Sequence, residues 1–221
     1  MGVHTLQQTV TTRKGLSMTN VTIENVEFTS SIRPTFKGSC TIKNCTFTAT
    51  ESNAFRQAAV NSGATLTIKD CVFNLNDFYK EENGYLDTGA IHFKGNENGT
   101  VILDGCIVNS GYMSFGRTMN VEIKNTVISG TSIGAYGDMT LTGCTFTPDT
   151  VLYINPNTGN SAVTMTLNGC TVTDGSSVVS IIVDYSENMT TDIDWKFVVD
   201  GVVYDENSVF TTESAVAEED A

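Results

Sequence analysis

The eight residues Leu66-Thr-Ile-Lys-Asp-Cys-Val-Phe73 decide the fold of this chain. Apolar side chains at the first and third positions alternate with polar ones, which is typical of a strand with one buried face. The fifth position is Asp70, a residue type that tolerates the left-handed backbone, so we predict a bend there. Apolar alternation resumes at the sixth and eighth positions. The octapeptide therefore predicts two strands joined by a corner, and a corner that does not reverse the chain is not a hairpin.

Seven copies of this octapeptide occur in the chain. Their first residues are Val21, Cys40, Leu66, Val101, Val121, Met139 and Met165. The starts are therefore 19, 26, 35, 20, 18 and 26 residues apart. A constant motif with a variable period predicts a solenoid whose loops differ in length.

A third short strand is expected between successive copies. The candidate segments are Ser31 to Phe36, Gln57 to Asn61, Ala90 to Lys94, Tyr112 to Gly116, Ser132 to Tyr136, Val151 to Asn155 and Val178 to Val183. Three parallel strands per coil give a triangular prism, with neighbouring coils ~4.8 Å apart. We therefore predict an all-β, right-handed parallel β-helix of about seven coils.

Composition and charge support this fold and exclude several functions. The chain has 33 Thr, 19 Asn and 19 Gly, a mixture of β-branched residues and turn formers. Its net charge is −13, and a basic stripe for nucleic acid is not evident. No segment approaches the ~20 apolar residues of a membrane span, and the first residues lack the apolar segment of a signal peptide.

The chain divides into four segments by pattern. We expect an N-terminal cap or degenerate coil over 1–20, the β-helix over 21–183, a capping segment over 184–210 and an acidic flexible tail over 211–221. The third segment contains Asp200-Gly201 between two β-rich runs, which predicts a β-hairpin. We expect this hairpin to cover the open end of the last coil.

The octapeptides resemble the coils of right-handed parallel β-helix proteins, the pectin-lyase-like superfamily. The resemblance covers residues 16–183. In that superfamily a ladder of stacked Asn often occupies the turn after the second strand, and Asn25, Asn44, Asp70 and Asn125 fit it. Gly105, Gly143 and Gly169 depart from the ladder but suit the same bend. The resemblance implies the fold; it does not imply one activity, because this fold hosts lyases, hydrolases, tailspikes and adhesins.

Six cysteines permit disulfides, but their register favours free thiols. Cys45, Cys71, Cys106, Cys144 and Cys170 share the inward sixth position, where other copies have Val26 or Thr126. Stacked side chains stay ~4.8 Å apart, which exceeds the ~3.8 Å that a disulfide prefers between Cβ atoms. We therefore predict reduced, interior cysteines. No metal or other cofactor is expected.

The candidate binding residues are aromatic. His92, Tyr112, Tyr136 and Tyr153 are expected to face outward on the third strands, roughly along one face, and the 74–88 insertion adds Tyr79 and Tyr85. Such rings suit stacking on sugars. The alternative interpretation is a set of unrelated surface side chains and a solvated loop.

Three functions remain open from the sequence. The first is a non-catalytic, adhesin-like module, bacterial and secreted or on the cell surface, that binds a glycan. The second is a polysaccharide lyase or glycoside hydrolase, although we find no paired carboxylates on the third strands. The third is a structural spacer within a longer β-helix. No catalytic residue is assigned.

Overall fold

The computed structural model describes residues 16–29, 32–49, 55–75, 90–93, 98–116, 118–154, 162–175, 180–183, 194–205 and 207. Every regular element among them is a β-strand. In chain order the strands are β1 (Leu16–Thr19), β2 (Thr22–Glu24), β3 (Glu27–Phe28), β4 (Pro34–Lys37), β5 (Ser39–Lys43), β6 (Thr46–Ala49), β7 (Phe55–Val60), β8 (Thr65–Lys69), β9 (Val72–Leu75), β10 (Ala90–Phe93), β11 (Thr100–Asp104), β12 (Ile107–Phe115), β13 (Asn120–Lys124), β14 (Val127–Ala135), β15 (Met139–Thr142), β16 (Thr145–Phe146), β17 (Val151–Ile154), β18 (Ala162–Asn168), β19 (Thr171–Val172), β20 (Ser180–Val183), β21 (Asp194–Val199) and β22 (Val202–Tyr204).

The strands form the three sides of a parallel β-solenoid, as predicted. The first side is β2-β5-β8-β11-β13-β15-β18-β21, with β22 added at its end. The second side contains β3, β6, β9, β16 and β19, and the third contains β1, β4, β7, β10, β17 and β20. Strands β12 and β14 each run through both the second and third sides. All pairs are parallel except β21 with β22.

The predicted bend at the fifth position of each repeat is confirmed. The backbone φ is positive there in all seven copies: Asn25 60°, Asn44 52°, Asp70 51°, Gly105 66°, Asn125 48°, Gly143 61° and Gly169 58°. Neighbouring corners also interlock. A Cβ on Gly105 would lie 2.6 Å from Asp70 Oδ1, so the glycine makes room for the carboxylate of the preceding coil.

Apolar side chains fill the inside of the prism. Phe47 stacks on Phe28 and on Phe73 with ring centroids 4.6 Å apart in both pairs. On the third side, Phe93 stacks on Phe115 at 5.6 Å. Each such pair adds ~0.5–1.5 kcal/mol beyond the burial of its surface. The strict register of these columns holds neighbouring coils in place.

The predicted number of coils is too high. The solenoid has about 5 turns, whereas we expected about seven. All seven repeats contribute a strand to the first side. However, the second side is only two residues long in the first, sixth and seventh repeats, at β3, β16 and β19. The coils near both ends are therefore less complete than the repeated motif suggests.

The C-terminal hairpin is confirmed. Strand β21 pairs with β18 in parallel register and then with β22 in antiparallel register. Asp200 and Gly201 form the connecting turn with φ of 48° and 84°. Trp195 and Phe197 are buried and extend the apolar columns of the last coil. At the other end, β1 lies within the predicted 1–20 segment and pairs with β4 on the third side. The 211–221 segment lies outside the described residues.

All six cysteines are free, as predicted, and five of them are buried. Cys170 departs from the prediction because it is only half-buried. The sixth-position residues form a column, the thiol ladder, consisting of Cys45, Cys71, Cys106, Cys144 and Cys170 with Thr126 between the third and fourth of them. The ladder occupies the first corner of the prism.

The thiol ladder satisfies backbone groups that the corner removes from the sheet. The Cys45 N–H donates to Cys71 Sγ over 3.4 Å, and the Cys106 N–H donates to Thr126 Oγ1 over 3.3 Å. The same Thr126 hydroxyl donates to the Lys124 carbonyl over 2.8 Å. Buried N–H groups are costly when unpaired, so a sulfur or oxygen atom at this position stabilises the corner of the preceding coil.

Candidate functional site

Two outward-facing columns define the surface of the third side. One column contains Tyr112 and, two coils further on, Val151, and the other contains His92, Ser114, Gly134 and Tyr153. The residues between them, such as Ile91 and Met113, are fully buried, so strand alternation places both columns outside. Within each column, neighbouring coils are ~4.8 Å apart.

The second column has large side chains at its ends and small ones in the middle. Ser114 is only 7% exposed although it faces outward, and Gly134 is also buried. His92, Tyr112 and Tyr153 are half-buried around them. We call these five residues the third-side trough. It spans four successive coils.

Tyr112 reaches diagonally across the trough. A Cβ on Gly134 would overlap the Tyr112 hydroxyl oxygen and lie 3.2 Å from Tyr112 Cζ. The outer end of the ring therefore lies over the glycine of the next coil, and that glycine pairs with Tyr153 of the coil after it. Any larger residue at position 134 would displace the ring, so Gly134 allows the Tyr112 position.

The structure brings three of the six predicted site residues together. His92, Tyr112 and Tyr153 lie on β10, β12 and β17, in two columns of the same face. Tyr136 lies one residue beyond the end of β14, at the margin of the face, because that strand ends at Ala135. Tyr79 and Tyr85 lie outside the described residues.

The strand before the trough is irregular. Ile91 pairs with Phe55, whereas Phe93 pairs with Ala58, so β7 has one more residue than β10 over this stretch. This bulge lies directly opposite His92. Bulges redirect side chains and are over-represented next to functional sites. It interrupts the regular pairing of β7 with β10 at the His92 end of the trough.

The trough contains no acidic side chain. The described third-side strands, including the third-side parts of β12 and β14, have neither Asp nor Glu. The carboxylate nearest to β17 along the chain is Asp149, in the turn between β16 and β17. The Thr147 hydroxyl donates a hydrogen bond to it and lowers its pKa below the ordinary value of 3.8. The five trough residues therefore include no charged side chain apart from histidine, although the protein is strongly acidic.

Neither a metal-ligand cluster nor a membrane-spanning helix is found among the described residues. No group of three or more His, Cys, Asp and Glu side chains has the arrangement of a metal site in that part of the chain. Within the same ranges, no helix has the length and apolar character needed to cross a membrane.

Ser114 and Gly134 are residues of the candidate site that sequence reasoning missed. We expected aromatic side chains to make the site and did not include the small residues between them. Strand alternation in the sequence could have indicated Gly134, because it is an outward position two residues before Tyr136. The Tyr112 contact with Gly134 depends on the register between coils, and loops of different lengths hide that register in the sequence.

The fold is thus a parallel β-solenoid with a trough of aromatic and small residues on its third side. No protein-family model, curated protein or solved structure matches the chain.

Proposed function

We propose that this protein is a non-catalytic, adhesin-like β-solenoid module that binds a neutral glycan in the third-side trough. The third-side trough is the observation that carries the proposal. In this proposal the protein is a bacterial, pectin-lyase-like β-helix that is secreted or displayed on the cell surface.

Aromatic side chains at the trough suit the apolar faces of sugar rings. Tyr112 and Tyr153 are half-buried, so each ring is held in place while part of its surface stays in contact with solvent. Tyrosine combines an apolar ring with a hydroxyl that can hydrogen-bond a sugar hydroxyl. Ser114 and Gly134 are buried between the larger side chains, and the Tyr112 ring lies over Gly134. A sugar ring would therefore stack on the solvent-exposed parts of the tyrosine rings.

The charge distribution favours a neutral ligand over a polyanion. The net charge of −13 repels acidic polymers unless a local basic cluster offsets it. The trough offers His92 and hydroxyl groups, and its strands have no carboxylate to bind a cation that could bridge to a uronate. A neutral glycan meets no such repulsion.

The same absence of carboxylates from the described third-side strands supports binding over catalysis. Glycoside hydrolysis generally needs two carboxyl groups on either side of the scissile bond. β-Elimination next to a uronate needs a base near the C5 proton and a positive group for the substrate carboxylate. A binding module needs neither.

Affinity electrophoresis of the purified protein in gels containing neutral polysaccharides tests the proposal. We expect retardation by at least one neutral polymer and none by polygalacturonate. Tyr153→Ala should abolish the retardation, whereas Tyr153→Phe should keep most of it because the ring remains. Equal mobility of the wild type in every gel would refute glycan binding and favour the structural-spacer function. Release of reducing or unsaturated sugars would favour the enzyme.

A further inference from the structure

The second side of the solenoid has apolar side chains at the centre of its outward face. The seventh residue of each octapeptide faces outward there, because the eighth residue points into the core. Backbone pairing aligns five of these residues on successive coils into one column, the second-side column, which consists of Thr46, Val72, Ile107, Val127 and Thr145. Ile107 is 41% exposed, and its neighbour Val127 is 39% exposed. Isolated exposed apolar residues are ordinary on a protein surface, whereas a contiguous patch indicates an interaction site.

The second-side column is symmetric about Ile107. Read in either direction, its order is threonine, valine, isoleucine, valine, threonine. A two-fold axis at Ile107, parallel to the strands, would place Ile107 opposite itself and Val72 of one copy opposite Val127 of another. The same axis would place Thr46 opposite Thr145. Interfaces with two-fold symmetry require a patch that is complementary to itself in this way. The contacts would be apolar at the centre and would involve hydroxyl groups toward the rim, which is the usual anatomy of a protein interface.

Charge also favours the second side as a contact between two copies of an acidic chain. Among its described strands, β3 has the charged residue Glu27, whereas β6, β9, β16, β19 and the second-side parts of β12 and β14 have no charged residue. The carboxylates of Asp149 and Asp174 lie beyond this face, in the turns after β16 and β19. On the first side, β2, β5, β8, β11 and β13 each end in a charged residue. Because a charge is costly to bury without a partner, association costs less at the second side than at the first.

The distribution of charge along the chain favours an antiparallel arrangement of the two solenoids. Residues 1–43, which contain the first coil, have five Lys and Arg against two Glu, a net charge of +3. Residues 184–221, which contain β21 and β22, have one Lys against eleven Asp and Glu, a net charge of −10. A parallel pair would bring the two acidic ends together and place Glu27 opposite itself. The antiparallel pair places Glu27 opposite Thr171 and separates the acidic ends, so the repulsion between the copies is smaller.

The dimensions of the second side suit a reversible dimer. Its strands β6 and β9 are four residues long. Seven strands ~4.8 Å apart, with four residues at ~3.3 Å per residue, give a face of about 34 by 13 Å. Two copies would cover roughly 900 Å² of this face in total, close to the ~1,000 Å² at which specific interfaces begin. Flat sheets pack face to face with their strands nearly aligned. We therefore expect reversible association, with Kd in the micromolar-to-millimolar range.

We propose that the second side is a self-association surface, and that two copies of this chain pack there in antiparallel orientation with the two-fold axis at Ile107. The third-side trough lies on another side of the prism and stays open in this dimer. The dimer presents two troughs to one polymer chain, which raises its apparent affinity without any new contact. Dimerisation does not depend on the proposed glycan binding, because the two use different sides of the solenoid.

Sedimentation velocity of the full chain, over a concentration series up to ~1 mM, measures the association. We expect a monomer–dimer equilibrium in the wild type. Ile107→Lys places two ammonium groups at the axis and should abolish the dimer. Ile102→Lys is the matched control, because Ile102 lies on the same coil and faces outward on the first side, between Thr67 and Glu122. This control should dimerise like the wild type. Val127→Thr keeps the shape of the side chain and should raise Kd at least threefold.

Spin labels on Thr171→Cys, in a Cys170→Thr background whose remaining cysteines are buried, measure the orientation. Antiparallel packing separates the two labels by six coil spacings, about 29 Å, whereas parallel packing leaves them about 10 Å apart. A wild type that stays monomeric over the whole series would overturn the proposal, as would a label distance near 10 Å. Wild-type dimerisation of Ile107→Lys, or equal loss in Ile107→Lys and Ile102→Lys, would also overturn it. If Ile107→Lys fails to fold, Val127→Thr decides, because an unchanged Kd in that variant contradicts the assigned interface.

Discussion

Replacing Thr126 with valine removes one hydroxyl from the inside of the solenoid while keeping the shape of the side chain. Thr126 is fully buried at the first corner of the fifth repeat. Its hydroxyl accepts the Cys106 N–H and donates to the Lys124 carbonyl. The carbonyl keeps a second partner, the Gly105 N–H at 3.0 Å. The main loss in Thr126→Val is therefore the acceptor of one buried N–H group.

The size of this loss follows from the cost of an unpaired buried donor, ~1–3 kcal/mol. Valine leaves no cavity, so no large packing term adds to it. We expect Thr126→Val to lower the free energy of unfolding by about 2 kcal/mol and Tm by roughly 4–8 °C for a chain of this size. Thr126→Cys should cost under ~1 kcal/mol, because Cys71 sulfur already accepts the Cys45 N–H in the equivalent position.

Urea unfolding followed by circular dichroism measures both variants. Equal m-values would show that the folded and unfolded states keep their compactness, so the midpoint shift reports stability alone. Wild-type stability in Thr126→Val, or equal destabilisation by valine and cysteine, would refute the assigned role of the sixth position.

Two further predictions concern the corners. Asn125→Val should destabilise the folded protein by ~1–3 kcal/mol, because a β-branched residue resists the φ of 48° and cannot make the hydrogen bond to Asp104. In thermal melts, Asn125→Gly should stay near the wild type. The Asp149 carboxylate should titrate below 3.8 by carbon-detected NMR, and Thr147→Val should move its pKa upward. Since the folded-state pKa is lowered, the stabilisation from this contact is present above the ordinary pKa and is lost as pH falls through the folded value. An Asp149 pKa that is unchanged in Thr147→Val would contradict the assigned hydrogen bond.

Much of the fold follows from local chemistry, and the rest depends on the register between coils. Asn, Asp or Gly at the fifth position is enough to locate the corners, because few residues accept that backbone. The free cysteines follow from their shared position with Thr126. The partial exposure of Cys170 could not be predicted in this way, because it depends on where the C-terminal hairpin turns away from the first side.

The third-side trough also depends on the register between coils, which the sequence does not show. Strand alternation correctly placed His92 and Tyr153 on the outside of the third side. It could not show that Tyr112 belongs to a different column, because the offset between coils is set by loops of different lengths. Nor could it show that Gly134 leaves room for the Tyr112 hydroxyl, because this contact joins residues on successive coils.

The most direct test of the central claim is isothermal titration of the protein with neutral β-linked oligosaccharides of increasing length. The trough spans four coils from His92 to Tyr153, and one sugar residue in an extended chain is close in length to the ~4.8 Å coil spacing. We predict affinity that rises with each added sugar up to about four residues and then levels, with Kd between micromolar and millimolar, or ~4–8 kcal/mol. Affinity that does not depend on length, or binding that survives Tyr153→Ala unchanged, would contradict the account.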